Sequence, residues 1–236
     1  MFSKKKLNPL DAYNRWADSY LNESNPIKKF SDNLILNWLA DINGKSVLDA
    51  GCGAGAICNL VRQKGASSIV GTDLSPVMVE EAKKNCREAE FKNLDLSKEK
   101  VNGKFDVVIC ALVLGHIKDI DFVLGNLIEN ISPKGMLLIT DFHPFQTLNG
   151  AKRTFTDAKS RKTFEVEHYL HLFEEYFSIA SNRNFFIEEF KERSWQNQPV
   201  VFGMKIRKKR IEFSDQKYCL GRWRHLQHMR CANWKR

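Results

Sequence analysis

The chain lacks the long apolar segment that a membrane-spanning helix requires. Its longest uninterrupted apolar run, 107–115, is nine residues long, whereas a spanning helix needs about 20. No apolar stretch follows the basic residues at the start of the sequence, so we expect no secretory signal. The six cysteines are therefore expected to be reduced thiols of a cytoplasmic protein.

The greater part of the chain also lacks an excess of charge of either sign. Residues 1–204 contain 26 Lys and Arg against 26 Asp and Glu, whereas residues 205–236 contain 11 against 2. The net charge of +9 therefore belongs entirely to the C-terminal segment. Proteins that bind nucleic acid usually spread basic residues over the binding face. This balance argues against a nucleic-acid partner for residues 1–204, while the basic segment leaves that partner open.

From residue 46 onward, short β-rich runs alternate with helical patterns, which is typical of a parallel sheet with crossover helices. The predicted strands of this sheet are Ser46–Asp49, Ser68–Thr72, Glu90–Asn93, Phe105–Cys110 and Met136–Asp141. Two later β-rich runs, Asn184–Trp195 and Val200–Lys205, are predicted to add an antiparallel edge pair. The predicted helices are Leu10–Tyr20, Ile27–Asp41, Ala56–Lys64, Pro76–Arg87, Ile120–Asn130 and Val166–Ala180. The pattern predicts an α/β fold with a seven-stranded, mostly parallel sheet.

A glycine-rich turn follows the first predicted strand of the sheet. Gly51, Gly53 and Ala56 satisfy the G-x-G-x-x-G/A pattern of dinucleotide binding, so a nicotinamide-dependent oxidoreductase must be considered. Asp49 precedes the turn, and its carboxylate would repel a pyrophosphate but attract an ammonium or sulfonium group. The residues therefore favour S-adenosylmethionine over a nicotinamide cofactor, with a structural capping role for Asp49 as the open alternative.

The surrounding motifs resemble those of a known family. Successive motifs of the class I S-adenosylmethionine-dependent methyltransferases are matched, in order and spacing, by 49–55 (DAGCGAG), 69–75 (IVGTDLS), 91–96 (FKNLDL), 105–117 (FDVVICALVLGHI) and 132–139 (SPKGMLLI). The leading pattern Tyr13-x-x-Trp16-Ala17-x-x-Tyr20 is similar to that of the ubiquinone/menaquinone-type small-molecule methyltransferases. The resemblance implies a Rossmann-like three-layer sandwich and S-adenosylmethionine as the cofactor.

The resemblance also implies roles for individual residues. Asp73 would accept hydrogen bonds from both ribose hydroxyls, and Asp95 would accept one from the adenine amino group. Leu74 and Leu96 would enclose the adenine ring. The hydroxyl of Tyr20 would contact the methionine end of the cofactor, although packing of one apolar helix face explains the same pattern. The cofactor-binding set is thus Asp49, Gly51, Gly53, Asp73, Leu74, Asp95, Leu96 and Tyr20.

Methyl transfer to an acceptor that carries a proton also needs a base. Histidine suits that role because its ordinary pKa of about 6.5 lies close to working pH. His116 follows the fourth strand and His143 follows the fifth, at the carboxyl edge where open α/β sheets bind ligands. We predict one of them as the base and favour His143, which adjoins a segment expected to form a lid. A polar loop residue or a helix cap is the alternative for each.

Two histidine-containing patterns could be interpreted as metal sites. Residues three apart share a helix face. This spacing occurs in the first pattern, which consists of Glu165, Glu167, His168 and His171. The methyl donor needs no metal, so a solvated helix start or a substrate-contact surface is favoured. The spacing of a second set is unlike that of zinc fingers; it consists of Cys219, His225, His228 and Cys231. We predict no metal.

The predicted organisation has three parts. N-terminal helices (1–44) cover the cofactor site, a methyltransferase domain (45–206) carries a lid at about 142–165, and a disordered basic tail (207–236) follows. The lid mixes aromatic residues with cations, which suits an aromatic or acidic acceptor. The predicted function is methyl transfer to O, N or C of a small molecule, and the alternative is an RNA or protein methyltransferase guided by the tail. The acceptor and the oligomeric state are left open.

Overall fold

Runs of Val, Ile and Leu form the strands of a seven-stranded sheet in the computed structural model, which describes residues 4–23 and 25–209. These strands are β2 (Ser46–Ala50), β3 (Ser68–Asp73), β4 (Glu90–Asn93), β5 (Phe105–Ala111), β6 (Ile131–Phe142), β9 (Phe185–Trp195) and β10 (Gln198–Lys208). Their order is β4-β3-β2-β5-β6-β10-β9. The first five lie parallel, and β10 is antiparallel to both β6 and β9. The predicted α/β fold with its antiparallel edge pair is confirmed.

Seven α-helices occur in the described ranges. They are α1 (Pro9–Tyr20), α2 (Pro26–Trp38), α3 (Ala56–Gln63), α4 (Pro76–Asn85), α5 (Ile120–Glu129), α6 (Pro144–Leu148) and α7 (Phe173–Asn182). Polar residues begin several of them, since a side-chain oxygen can accept from the free N–H groups of the first turn. Asn8 accepts from the N–H of Asp11 at 2.8 Å, and Ser75 accepts from that of Met78 at 3.1 Å. The described helices include none long and apolar enough to cross a membrane.

The sheet is buried on both faces, which explains the continuous apolar runs of its central strands. On one face, Leu48 and Val108 pack with residues of α5 and α7. On the other, Val47 and Ile109 pack with residues of α2. Successive residues of one strand thus serve opposite layers of the sandwich. The two layers hold the carboxyl ends of the parallel strands in fixed positions.

A second, three-stranded sheet joins residues near the start of the chain to the segment predicted as a lid. It consists of β1 (Lys6–Leu7), β8 (Thr163–Val166) and β7 (Thr154–Thr156), in that order. We call residues 154–166 the cover hairpin. The N–H of Glu165 donates to the carbonyl of Lys5 at 3.1 Å, and Phe155 stacks on Trp16 of α1 with ring centroids 5.0 Å apart. The hairpin is therefore attached to the N-terminal strand and helix rather than lying loose over the sheet.

The predicted helix Val166–Ala180 is wrong in its first half. Residues 167–172 are not helical, and α7 begins only at Phe173. The N–H of Glu167 donates to the carbonyl of Leu7 at 2.9 Å, and that of Tyr169 donates to the carbonyl of Gly115 at 2.7 Å. Because tertiary partners take these backbone donors, the helical spacing of the side chains cannot be realised there.

Candidate active site

A cavity of about 460 Å³ lies at the carboxyl ends of the parallel strands. Residues at or just after the ends of four strands line it: Gly51 (β2), Asp73 (β3), Leu94 (β4) and Ala111 (β5). Tyr13 and Tyr20 of α1 line the same cavity. Open α/β sheets bind ligands at this edge. The topology therefore brings the predicted motifs together in one place.

The turn after β2 requires glycine. Gly51 has a φ of +79°, and a Cβ atom there would lie 2.2 Å from Cγ2 of Val113. Gly53 has a φ of +52°, and its N–H donates to Oδ2 of Asp73 at 2.8 Å. Glycine adopts positive φ without steric cost and lets a ligand approach the backbone closely. The turn thus presents bare backbone to the cavity and is fixed to the end of β3.

Asp73 keeps acceptor capacity for a ligand. Its Oδ1 accepts from the N–H of Ser75 at 2.9 Å, in addition to the bond from Gly53. Burial raises the pKa of Asp73, and these two backbone hydrogen bonds partly offset the effect. A carboxylate offers about four lone-pair sites. Two hydroxyl donors can therefore still be accommodated.

Asp49 is almost fully buried, and one of its oxygens has no partner. Its Oδ2 accepts from the thiol of Cys58 at 3.4 Å, whereas Oδ1 lacks any hydrogen-bond partner in the described chain. Burial raises the pKa of Asp49 to about 7, and the bond from Cys58 partly opposes this. The residue lines a small cavity of about 40 Å³ that also borders Gly51 and Gly53. Within the described ranges no backbone N–H donates to the carboxylate of Asp49, so the geometry does not support the capping alternative.

Leu74, Asp95 and Leu96 line the main cavity together, as the motif order predicts. Oδ1 of Asp95 accepts from the N–H of Ser97 at 3.0 Å, and Oδ2 accepts from Nζ of Lys98 at 2.7 Å. The carboxylate is thus held in one orientation at the cavity wall. Its contact with an adenine amino group stays a prediction.

His116 lines the cavity and forms a pair with Tyr13. Its Nδ1 lies 2.7 Å from the carbonyl oxygen of Glu167, which can only accept, so Nδ1 carries the proton. Its Nε2 lies 3.0 Å from the hydroxyl of Tyr13. Burial lowers the pKa of His116 well below 6.5, and the charge of Arg153 lowers it further. The imidazole is therefore neutral, with the lone pair of Nε2 directed at Tyr13.

His143 does not line this cavity. Its Nε2 lies 2.7 Å from Oε1 of Glu192, and its Nδ1 accepts from the N–H of Phe145 at the start of α6. The chain turns towards β10 at this point, because the N–H of His143 donates to the carbonyl of Val200 at 3.0 Å. The geometry does not support the preference for His143 over His116, since both ring nitrogens of His143 have protein partners.

The expected solvated helix start at 165–171 is also wrong. His171 is buried, with Nε2 lying 2.8 Å from the carbonyl of Ile117 and Nδ1 lying 2.9 Å from Oε2 of Glu175. The buried Nδ1 of His168 has no partner, and burial lowers the pKa of this imidazole to about 4. No group of three or more His, Cys, Asp or Glu residues in 4–23 and 25–209 is arranged to hold a metal ion. The Cys219–Cys231 set lies outside the described residues.

Sequence reasoning gave no role to a buried ion pair beside Tyr13. Nη1 of Arg153 lies 3.4 Å from Oδ1 of Asp141, and the arginine side chain is only 13% exposed. Oδ2 of Asp141 accepts from the N–H of Gly115 at 2.7 Å, which orients the loop before His116. Asp141 could have been identified as a candidate site residue from the sequence, because its carboxylate lies at the carboxyl end of an apolar run. Nothing in the sequence distinguishes the inward-facing Arg153 from Arg161, an exposed arginine in the same segment.

A second cavity of about 140 Å³ shares Tyr13, Tyr20 and Leu112 as walls with the main one. Leu112 has a φ of +61°, a left-handed conformation that costs a non-glycine residue about 1–3 kcal/mol and that clusters at functional sites. Tyr20 and Leu112 also border the small cavity at Asp49. The three cavities therefore meet at these two side chains.

A family model described as a methyltransferase domain matches residues 21–207. The mitochondrial ubiquinone biosynthesis O-methyltransferase of Schizosaccharomyces pombe is 29% identical over 167 residues, which are 65% of this chain and 56% of that protein. The ribosomal protein L11 methyltransferase of Histophilus somni strain 2336 is 36% identical over 110 residues, 44% of this chain and 36% of that protein.

The fold is also similar to that of solved methyltransferases. The magnesium protoporphyrin IX methyltransferase of Synechocystis PCC 6803, solved with bound S-adenosylhomocysteine (SAH), superposes with a TM-score of 0.64. It is 22% identical, and the match covers 85% of this chain and 97% of that one. The chain spans about three fifths of the length of the first curated relatives it matches. The chain belongs to the methyltransferase-domain family, as its resemblance to the class I S-adenosylmethionine-dependent methyltransferases predicts.

Proposed function

We propose that the protein transfers the methyl group of S-adenosylmethionine to O, N or C of a small molecule. The observation that carries this proposal is the buried, unpartnered Oδ1 of Asp49 beside the Gly51–Gly53 turn. An unsatisfied buried acceptor costs about 1–3 kcal/mol, which a cationic donor at the turn would offset. A pyrophosphate would instead be repelled by this carboxylate. The nicotinamide-dependent alternative is therefore disfavoured.

The main cavity fits the remainder of such a cofactor. Its charged lining residues are Asp73, Asp95 and Asp119 against Lys118, an excess of negative charge that suits a positively charged ligand. We propose that Asp73 holds the ribose hydroxyls and Asp95 the adenine amino group. The ring would lie between Leu74 and Leu96, with Tyr20 at the methionine end. These assignments follow the family resemblance and are supported by the common lining of one cavity.

When bound, S-adenosylmethionine supplies a methyl group that is already activated towards nucleophiles. The protein must then align the acceptor, exclude water and accept a proton. We propose that an acceptor hydroxyl passes its proton to the Tyr13 oxygen while Tyr13 passes its own proton to Nε2 of His116. The resulting imidazolium keeps its Nδ1–H bond to the carbonyl of Glu167. Nε2 is the ring nitrogen of neutral His116 that can accept a proton, because Nδ1 already carries one.

We also propose the predicted division of labour between segments. Helices in residues 1–44 cover the cofactor, residues 45–206 form the catalytic domain, and the segment at about 142–165 covers the acceptor. The cover hairpin supplies Thr154 at the acceptor side, and Arg153 immediately precedes it. From residue 210 onward, the basic tail lies outside the described residues. A cytoplasmic location stays a prediction.

The test combines cofactor binding with turnover. We expect calorimetry to show SAH binding to the purified protein, and a metabolite extract with radiolabelled S-adenosylmethionine to yield a labelled small molecule. His116→Ala is expected to lower turnover about 10²–10⁴-fold with SAH affinity nearly unchanged. His143→Ala is the matched control, and we expect it to keep near-normal turnover.

Several outcomes would contradict the proposal. NADH binding without SAH binding would reject the cofactor assignment. Equal losses in the two histidine variants, or none in either, would reject the proton relay.

A protein acceptor is the second candidate, because one relative is named a ribosomal protein methyltransferase. The balanced charge of residues 1–204 speaks against an RNA acceptor. Label recovered in acid-precipitable protein or RNA, and lost on deletion of residues 207–236, would favour a macromolecular acceptor. Label that stays acid-soluble supports the small molecule.

A further inference from the structure

The second cavity differs in charge from the main one. Three of its lining residues are cations, namely Lys28, Lys152 and Arg153, and no carboxylate lines it in the described chain. The main cavity, by contrast, has an excess of aspartates. Two cavities that share a wall therefore offer opposite electrostatic environments.

Arg153 is the dominant cation of this second cavity. Lys28 is held by Asp32 at 2.8 Å, and Lys152 is 63% exposed with Glu165 at 3.6 Å. Arg153 is only 13% exposed, and its bond to Asp141 is long, at 3.4 Å. A guanidinium carries five N–H donors, and Asp141 also accepts from backbone N–H groups. Donors of Arg153 are therefore available to a ligand in the cavity.

Neighbouring residues of the fold hold the side chain of Arg153 in position. Its guanidinium carbon lies 5.6 Å from the ring centroid of Phe142 at the end of β6. Its neighbour Thr154 begins β7, and the stacking of Phe155 on Trp16 fixes the hairpin to α1. A buried, pre-positioned guanidinium binds a carboxylate or phosphate in bidentate fashion at little entropic cost.

The second cavity also lies next to the proposed transfer site. Tyr13 contributes to both cavities and contacts Nε2 of His116. Leu112 and Tyr20 separate it from the turn at Gly51 and Asp49. A molecule anchored at Arg153 would thus direct its far end towards Tyr13. At about 140 Å³ the cavity is smaller than a complete ligand pocket of about 300–1,000 Å³, so it accommodates one part of a ligand.

We infer that the second cavity is a subsite for an anionic group, a carboxylate or phosphate, which anchors the methyl acceptor at Arg153 while a different atom of the acceptor is methylated near Tyr13. This inference rests on the proposed methyltransferase function and specifies its substrate class. The anion itself is not the methylated atom. The reaction product therefore keeps its negative charge.

The binding test uses protein saturated with SAH and three probes of similar shape. Benzoate and phenyl phosphate are anionic, whereas benzamide is neutral. We expect at least one anion to bind in calorimetry and to raise the melting temperature, with benzamide at least tenfold weaker. Comparison of benzoate with phenyl phosphate identifies which anion the subsite prefers. Binding of benzamide as tight as that of the anions, or binding of none of the three, would overturn the inference.

A pair of variants on the same segment tests the residue. Arg153→Gln is expected to weaken the preferred anion about tenfold to a hundredfold, the loss of a charge-assisted hydrogen bond. SAH affinity should stay within about twofold. Arg161→Gln makes the same change at an exposed site and should keep wild-type anion affinity. Should Arg153→Gln fail to fold, Arg153→Lys keeps the charge without the planar fork and should bind the anion with reduced affinity.

Two readouts separate this inference from the proposed function. Failure of SAH to bind would reject the function itself, whereas SAH binding without anion selectivity rejects only the subsite. Labelled products from a metabolite extract should bind an anion-exchange resin. With the acceptor thus identified, Arg153→Gln should raise KM with little change in kcat. A neutral methyl ester as the product would overturn the inference, because the anchored anion would then be the methylated group.

Discussion

Replacement of Asp49 by Asn tests the central assignment of the site through the pH dependence of stability. Burial raises the pKa of Asp49 from 3.8 to about 7 in the folded protein. The folded state therefore binds more protons than the unfolded state between about pH 4 and pH 7, and stability falls as pH rises through that window. A shift of about three units corresponds to about 4 kcal/mol when Asp49 is fully ionised.

An asparagine cannot ionise, so Asp49→Asn lacks this pH-dependent loss. We expect the free energy of unfolding of the variant, relative to wild type, to increase by about 3 kcal/mol between pH 4.5 and pH 8. Urea denaturation followed by far-ultraviolet circular dichroism at both pH values measures this difference. Any constant cost of the buried amide cancels in the comparison. Asp41→Asn, at an exposed position, is the control and should show no such change.

The same variant reports on the ligand. A cation placed beside Asp49 lowers its pKa, so SAH binding at pH 6.5 should release protons from the wild-type carboxyl group. Calorimetry in MES and imidazole, two buffers of different ionisation enthalpy that both hold pH 6.5, detects this release as a difference in apparent enthalpy, and the release from this site should be absent in Asp49→Asn. Parallel stability curves for the two proteins, or equal proton release, would refute the assignment of Asp49 as a buried carboxyl that meets a cation.

Three further outcomes are expected. Asp73→Ala should weaken SAH binding at least about tenfold in calorimetry, because the loss of the carboxylate leaves ligand hydroxyls unpaired; unchanged affinity would remove the ribose assignment. His116 and His168 have lowered pKa values in the fold, so protonation below pH 6.5 should destabilise it. In an Asp49→Asn background, the free energy of unfolding should fall by up to about 1.4 kcal/mol per pH unit for each of these histidines as pH falls below 6.5. For His168 the fall should end near pH 4, and a flat urea-denaturation profile would contradict the prediction. Phe155→Ala, at a buried site in the cover hairpin, should lower the free energy of unfolding by about 3 kcal/mol, and a loss below about 1 kcal/mol would show that the stacking contributes little.

The order and type of the sheet elements could be predicted because each signal is local. Continuous apolar runs mark the parallel strands, and Ser75 followed by Pro76 marks the start of α4. The glycines at 51 and 53 predict a tight turn, because they adopt the positive φ angles that other residues avoid. Since parallel strands align their carboxyl ends, these local features also place Asp49 and Asp73 at one edge.

The features that the sequence did not predict depend on contacts between distant parts of the chain. The helix predicted from Val166 fails because Leu7 and Gly115 accept its backbone N–H groups. The preference for His143 over His116 is not supported by the geometry for a similar reason, since the pairing of β6 with β10 carries His143 away from the cavity. Sequence spacing identifies the edge of the sheet on which a side chain lies, but tertiary partners decide its direction.

The pairing of β1 with β8 has a consequence for how ligands enter and leave. Backbone hydrogen bonds join Lys5 and Leu7 to residues about 160 positions later, so the N-terminal strand and the cover hairpin form one sheet. Stacking of Phe155 on Trp16 adds α1 to the same unit. The hairpin cannot swing open alone without breaking this sheet, and its opening would displace Tyr13 and Tyr20 together. We therefore expect release of the methylated product to be coupled to exchange of the spent cofactor.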